Sequence, residues 1–129
     1  MKRPLALVAV AVLLFTGVAC SSGSGGGSGP SPADCVDLSS QGDTFTVRLS
    51  GMQFHPSCFT ASAAQRLTLV NEDDALHSFT VEGTPIDVDV PPGQTLHLDP
   101  IEGQVQPGTY ELICKYHLPT MTGQITIAP

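Results

Sequence analysis

Three side chains near the C-terminus have the chemistry to hold one metal ion. In "ICKYHLPTM" (113–121), Cys114 is followed three residues later by His117, and four residues after that by Met121. A thiolate, an imidazole and a thioether on one short segment still lack a fourth donor. His77 qualifies, because it closes "NEDDALH" and opens the alternating run "HSFTVE" (77–82), at a boundary between loop and strand. One thiolate and two imidazoles in a trigonal plane, with a weak thioether above, suit copper in an electron-transfer site. Soft sulfur favours Cu(I), imidazole accepts Cu(II), and a shared geometry lets the ion change charge with little rearrangement. Zinc is the competitor, since two His and one Cys with an open fourth position resemble a catalytic zinc site. Here Met121 stands for the fourth position, and no spare Glu or His flanks the loop as a general base. The expectation is therefore one copper ion and no enzymatic turnover.

The reading needs Cys114 as a free thiol. The chain has four cysteines, and Cys20 falls at the end of an apolar leader. Cys35 and Cys58 remain as a pair that would pin the N-terminal edge of the domain. In an oxidising compartment such a bridge persists, and closing a loop of about 24 residues stabilises by roughly 3 kcal/mol in the chain-entropy model. Pairing of Cys114 with Cys35 or Cys58 is the alternative that the sequence leaves open.

The elements that must position these residues are strands. After residue 34 no segment has a 3.6-residue apolar period. Alternating runs occur at 44–49, 66–70, 77–82, 86–90, 95–99, 109–115 and 123–128, broken by Gly, Pro and Asn. "PPGQT" and "QPGTY" carry turn chemistry, with Pro presetting φ and Gly accepting positive φ. An all-β fold follows, an antiparallel sandwich of seven or eight strands. "GMQFHPSCFTA" (51–61) and "NEDDALHSF" (71–79) read as connectors, and connectors on a rigid scaffold are where sites sit. His55 and His97 read as a connector residue and a solvent-facing strand residue. Glu72, Asp73 and Asp74 read as a solvated turn in which Asp73 bonds backbone amides.

Residues 1–19 have the form of a signal peptide: two basic residues, then an apolar run from Pro4 to Ala19. The run is shorter than the roughly 20 residues of a spanning helix. It resembles a bacterial lipoprotein signal in which Cys20 is lipidated, with Gly17 standing where that pattern usually has Leu. Residues 20–33 are the anchor cysteine and a Gly/Ser-rich linker. Such linkers behave as flexible coil, here a tether of about 20 Å. Residues 34–129 then form one domain, exported and held at the outer face of the cell membrane. Without Lys2 and Arg3, three basic residues face twelve acidic ones, a net charge of −9. That balance excludes nucleic-acid binding, which needs clustered Lys and Arg.

Residues 44–128 resemble the cupredoxin (plastocyanin/azurin-like, type 1 copper) family. The resemblance is carried by "NEDDALHSFTV", with Asn71, Asp73 and His77 at matching positions, and by "CKYHLPTM", with Cys-x-x-His and then Met. "MQFHPSCFTASAAQRLTLVN" is similar to the strand pair that precedes the first ligand in many members. It implies an eight-stranded Greek-key sandwich with copper held by His77, Cys114, His117 and Met121. It also implies that Asn71 orders the ligand loops by hydrogen bonds near the cysteine sulfur. Three residues separate His117 from Met121, where plastocyanin-like loops have four and amicyanin-like loops two, and Gln124 is the fallback axial ligand. The function implied is that of a monomeric one-electron carrier serving redox partners in or near the membrane. Copper delivery in the cell envelope, or a metal-free interaction module, are the alternatives. A multicopper oxidase is excluded, because the extra histidine pairs of a trinuclear cluster are absent.

Overall fold

The computed structural model describes residues 34–129. The leader, Cys20 and the Gly/Ser-rich linker lie outside the described residues. Ten strands form: β1 (Val36–Asp37), β2 (Thr44–Ser50), β3 (Gln53–His55), β4 (Cys58–Ser62), β5 (Arg66–Asn71), β6 (His77–Val81), β7 (Asp87–Val90), β8 (Thr95–Leu98), β9 (Gly108–Ile113) and β10 (Thr122–Ala128). No α-helix occurs among them.

Alternation in the sequence becomes alternation in burial. In β2, Phe45, Val47 and Leu49 point inward while the residues between them face solvent, and β5 does the same with Leu67, Leu69 and Asn71. Strands half-buried in this way pack their apolar faces against a second layer. Six strands make one layer, in the order β1-β4-β10-β9-β6-β7, and four make the other, β3-β2-β5-β8. Aromatic pairs close the space between the layers: Phe45 of β2 on Phe59 of β4 at 5.8 Å, and Phe54 of β3 edge-on to Phe79 of β6 at 6.2 Å.

The sandwich is all-β, as expected, but its sheets are mixed. β1 with β4, β4 with β10 and β2 with β5 run parallel, and the other five pairings are antiparallel. Parallel neighbours arise because the chain crosses between layers instead of returning along each strand. The segment 51–61, expected as a connector, contributes β3 and β4. β4 escapes alternation because Cys58 and Phe59 are both buried.

Cys35 and Cys58 are joined, with Cα atoms 4.7 Å apart, and Cys114 is a free, buried cysteine. The bridge ties the start of β1 to the start of β4, which is level with Gln124 of β10. The strand ends that matter for chemistry gather at one pole: the end of β9, the start of β10, the start of β6 and the loop after β5.

Candidate metal centre

Two consecutive turns shape the loop between β9 and β10. Cys114 follows the last residue of β9, and its carbonyl accepts the His117 N–H at 3.1 Å. The His117 carbonyl then accepts the N–H groups of Thr120 and Met121, at 2.9 and 3.0 Å. Finally Cys114 N–H donates to the Met121 carbonyl at 3.0 Å, closing the loop at its base. The three-residue spacing from Cys to His is what one turn requires, and it puts Cys114 Sγ 3.3 Å from His117 Nδ1.

The loop between β5 and β6 delivers the other imidazole. Asn71 is buried and fully engaged: its amide N–H₂ donates to the carbonyls of Ala75 (2.8 Å) and Val90 (2.9 Å), and its Oδ1 accepts the Asp73 N–H (3.0 Å). These bonds curl residues 71–77 so that His77 enters β6 facing inward. His77 Nδ1 then stands 3.1 Å from His117 Nδ1 and 3.8 Å from Cys114 Sγ. The Ser78 N–H donates to the Cys114 sulfur at 3.3 Å, and Ser78 Oγ accepts the Lys115 N–H at 2.9 Å. The amide donor fixes the direction in which the sulfur presents its remaining lone pairs.

Asp73 backs the ring of His77. His77 Nε2 lies 2.8 Å from Asp73 Oδ2. An ionised carboxylate only accepts, so Nε2–H is the donor in this contact. Amide N–H donation from Met52 and Gly51, together with His77, holds the Asp73 carboxyl below its ordinary range.

The donor set fits a metal ion of imidazole–thiolate preference. Two ring nitrogens and a sulfur converge with separations of 3.1, 3.3 and 3.8 Å. A triangle with these sides contains a point about 2.0 Å from all three corners, close to the roughly 2.0–2.3 Å at which imidazole nitrogen and thiolate bind a first-row divalent ion. No other group of three His, Cys, Asp or Glu side chains converges in this way among the described residues. His77 and Cys114 are wholly buried, while His117 is partly exposed.

The other residues expected from the sequence have these places. Met121 is fully buried in the core at the base of the loop. Gln124, the fallback axial residue, has its amide oxygen 3.6 Å from the Cys58 sulfur, at the disulfide. His97 Nδ1 meets Thr68 Oγ1 and His55 Nε2 meets the Ser50 carbonyl, both on the exposed surface. Asn71 acts on the 71–77 loop and on β7, whereas the donor to the cysteine sulfur is the backbone of Ser78. A backbone donor leaves no mark in a sequence. Asp73 does bond backbone amides, as expected, and its bond to His77 is an addition that the pair's i, i+4 spacing made available.

Known proteins share this fold. No functionally curated protein matches the chain. Among solved structures, the copper-containing nitrite reductase of Thermus scotoductus SA-01 superimposes with a TM-score of 0.53 at 24% identity, over 67% of this chain. This chain corresponds to only 22% of that enzyme's length. A methionine-to-glutamine variant of amicyanin in its Cu(I) form superimposes with a TM-score of 0.51 at 18% identity, over 66% of this chain and 82% of amicyanin. A reduced tryptophan-to-tyrosine variant of amicyanin gives 0.52 at 17% identity, over 67% and 83%. At these identities the likeness is one of fold. The model of the cupredoxin-like domain matches residues 6–127. With two layers of strands and a His–Cys–His cluster at one pole, the chain belongs to the cupredoxin-like domain family.

Proposed function

We propose that this protein is a one-electron carrier of the cell envelope, with copper held by His77, Cys114 and His117 and with the Met121 thioether as axial ligand. The supporting observation is the convergence of two imidazole nitrogens and one thiol on a single point within a buried pole. A copper ion bound there would supply the redox chemistry by cycling between Cu(I) and Cu(II). The chain's own residues do the rest. The loop bonds of Cys114, His117 and Met121, with the Asn71 ties, hold the donors in place. A preset donor geometry limits the rearrangement that accompanies a change of charge.

Electrons pass through the edge of His117, the donor that reaches the surface. Leu118 (53% exposed) and Tyr116 (44%) are its chain neighbours, and Leu76 (39%) precedes His77, whose ring stands against that of His117. Exposed apolar residues gathered in one place mark a docking surface. The described surface carries three cationic side chains, and each is already ion-paired: Arg48 to Glu72, Arg66 to Asp99, and Lys115 to Asp87 and Asp89. A partner with basic residues around its own apolar patch fits this surface. Lipidation of Cys20, with residues 21–33 as the tether, would keep a monomeric domain within reach of membrane-bound donors and acceptors at the outer face of the cell membrane.

Voltammetry of the copper-loaded protein tests the reading. Reversible one-electron cycling without loss of copper is expected. A colourless protein that binds Cu(I) and releases it on oxidation would instead mean copper delivery, and failure to bind copper would mean an interaction module. Radiolabelled palmitate incorporation that disappears in Cys20→Ala tests the anchor.

A further inference from the structure

The two-residue turn between β2 and β3 has the left-handed form that a tight hairpin favours, but one of its two positions holds a residue for which that form is costly. Gly51 (φ 60°) and Met52 (φ 61°) are both left-handed, and Met52 is the one non-glycine residue with positive φ among the described residues. A two-residue hairpin turn of this hand is ordinarily built from Asn-Gly or Gly-Gly. A methionine in it costs on the order of 1 kcal/mol or more. The Met52 side chain is 39% exposed, so core packing does not explain its retention. The conformation aims two successive N–H groups at one point, as in backbone anion nests, and that point is Asp73. Gly51 N–H donates to Oδ1 at 2.8 Å and Met52 N–H donates to Oδ2 at 3.1 Å.

We propose that Asp73 is a positioning residue that selects the metal-binding tautomer of His77, and that the Gly51–Met52 turn is the mount that holds it. Three donors converge on its two oxygens: the two turn amides and His77 Nε2, the last at 2.8 Å. The Asp73 backbone is fixed as well, through its N–H on Asn71 Oδ1. Asp73 therefore has no freedom to rotate away, and His77 keeps its proton on Nε2 and its lone pair on Nδ1. A carboxylate behind a ligand imidazole also strengthens the ring as a donor to metal, which favours Cu(II) over Cu(I). The turn touches no ligand, yet it sets one.

This inference rests on the copper reading for its second consequence but not for its first. In Asp73→Asn one carboxylate oxygen becomes an amide N–H₂, so a single acceptor faces three donors. The amide nitrogen is then left to donate to His77 Nε2, which moves the ring proton to Nδ1. Nitrogen-15 NMR of the metal-free protein should show the Nε2–H form in the wild type and a substantial Nδ1–H population in Asp73→Asn. The ratio of Cu(II) to Cu(I) affinity should fall about tenfold, within the range for ligand-supporting residues and equivalent to a rise of about 59 mV in potential. Replacing the Met52 peptide N–H by an ester oxygen should shift both readouts the same way by a smaller factor. Unchanged tautomer and affinity ratio in Asp73→Asn would overturn the role of Asp73. An ester variant identical to the wild type would overturn the mount, and it supplies the test of both if Asp73→Asn does not fold. A wild type that binds no copper while its His77 tautomer still responds would overturn the copper reading and leave the positioning role standing.

Discussion

Replacing Gly123 by alanine should weaken the protein far more than a single methyl group suggests. Gly123 lies in β10, two residues after Met121 and opposite Leu112 of β9. Its open side faces the backbone of Ser57, whose carbonyl accepts the Gln124 N–H at 2.8 Å. A Cβ at position 123 overlaps the Ser57 carbonyl oxygen and meets the carbonyl carbon at 3.2 Å and Cα at 3.5 Å. The obstacle is backbone, so no side-chain rotation relieves it. Ser57 is also held by its neighbour Cys58, which is bridged to Cys35. Gly123 does not occupy a left-handed conformation, so the penalty is steric alone. Overpacking of this kind costs about 1–3 kcal/mol, and loss of the Gln124–Ser57 hydrogen bond adds about 0.5–1.5 kcal/mol. The sum, about 1.5–4.5 kcal/mol, is a large share of the stability of a small domain. At about 4–8 °C per kcal/mol for this size, Tm should fall by about 6–36 °C in a calorimetric scan. Thr122→Ala, at an exposed neighbour, should stay within about 0.5 kcal/mol of wild type. A Gly123→Ala protein melting within about 2 °C of wild type would refute the close backbone approach of β10 to the β3–β4 turn; a small shift of that turn cannot absorb an overlap with a carbonyl oxygen.

Three further outcomes are expected. Leu118→Glu should slow electron self-exchange, measured by NMR line broadening, without loss of copper; an unchanged rate would remove Leu118 from the docking surface. Met121→Leu keeps volume and should cost under about 1.5 kcal/mol of stability, yet it should alter the visible spectrum and the potential if the thioether is axial. Unaltered optical and redox properties would make Met121 a packing residue only. Lys115 donates to both Asp87 and Asp89 and so holds their carboxyls below the ordinary range. The ionised forms are favoured in the fold, so this contribution is complete above the usual Asp pKa near 3.9 and is lost as pH falls through the lowered values. Lys115→Met should return both carboxyls toward about 3.9 in a carbon-13 titration, and lowered values that persist would place the cause elsewhere.

Much of this molecule is legible along the chain, for physical reasons that differ from place to place. The strands at 44–50 and 66–71 announce themselves because one face is buried and the other wet. β4 does not, because two adjacent residues are buried, and β3, only three residues long, is too short for a period to show. Cys114 and His117 are readable as a pair because one turn brings residues three apart together. His77 is readable only through its place at a loop–strand boundary, since its proximity to Cys114 spans 37 residues. The free state of Cys114 follows from cysteine counting once Cys35 and Cys58 pair. What stays hidden is what depends on backbone direction: the parallel pairings, the Ser78 amide on the sulfur, and the left-handed Gly51–Met52 turn behind Asp73. The first two require no particular side chain, and the turn places Met52 where Asn or Gly is usual, so composition and spacing point away from it.

The central claim is that His77, Cys114 and His117 bind one copper ion through a thiolate. Titration of the metal-free protein with Cu(II), followed by visible absorption, tests it most directly. The account predicts an intense thiolate-to-copper band that saturates at one equivalent and is absent from Cys114→Ser. No visible band at any ratio, or a band that survives Cys114→Ser, would contradict it.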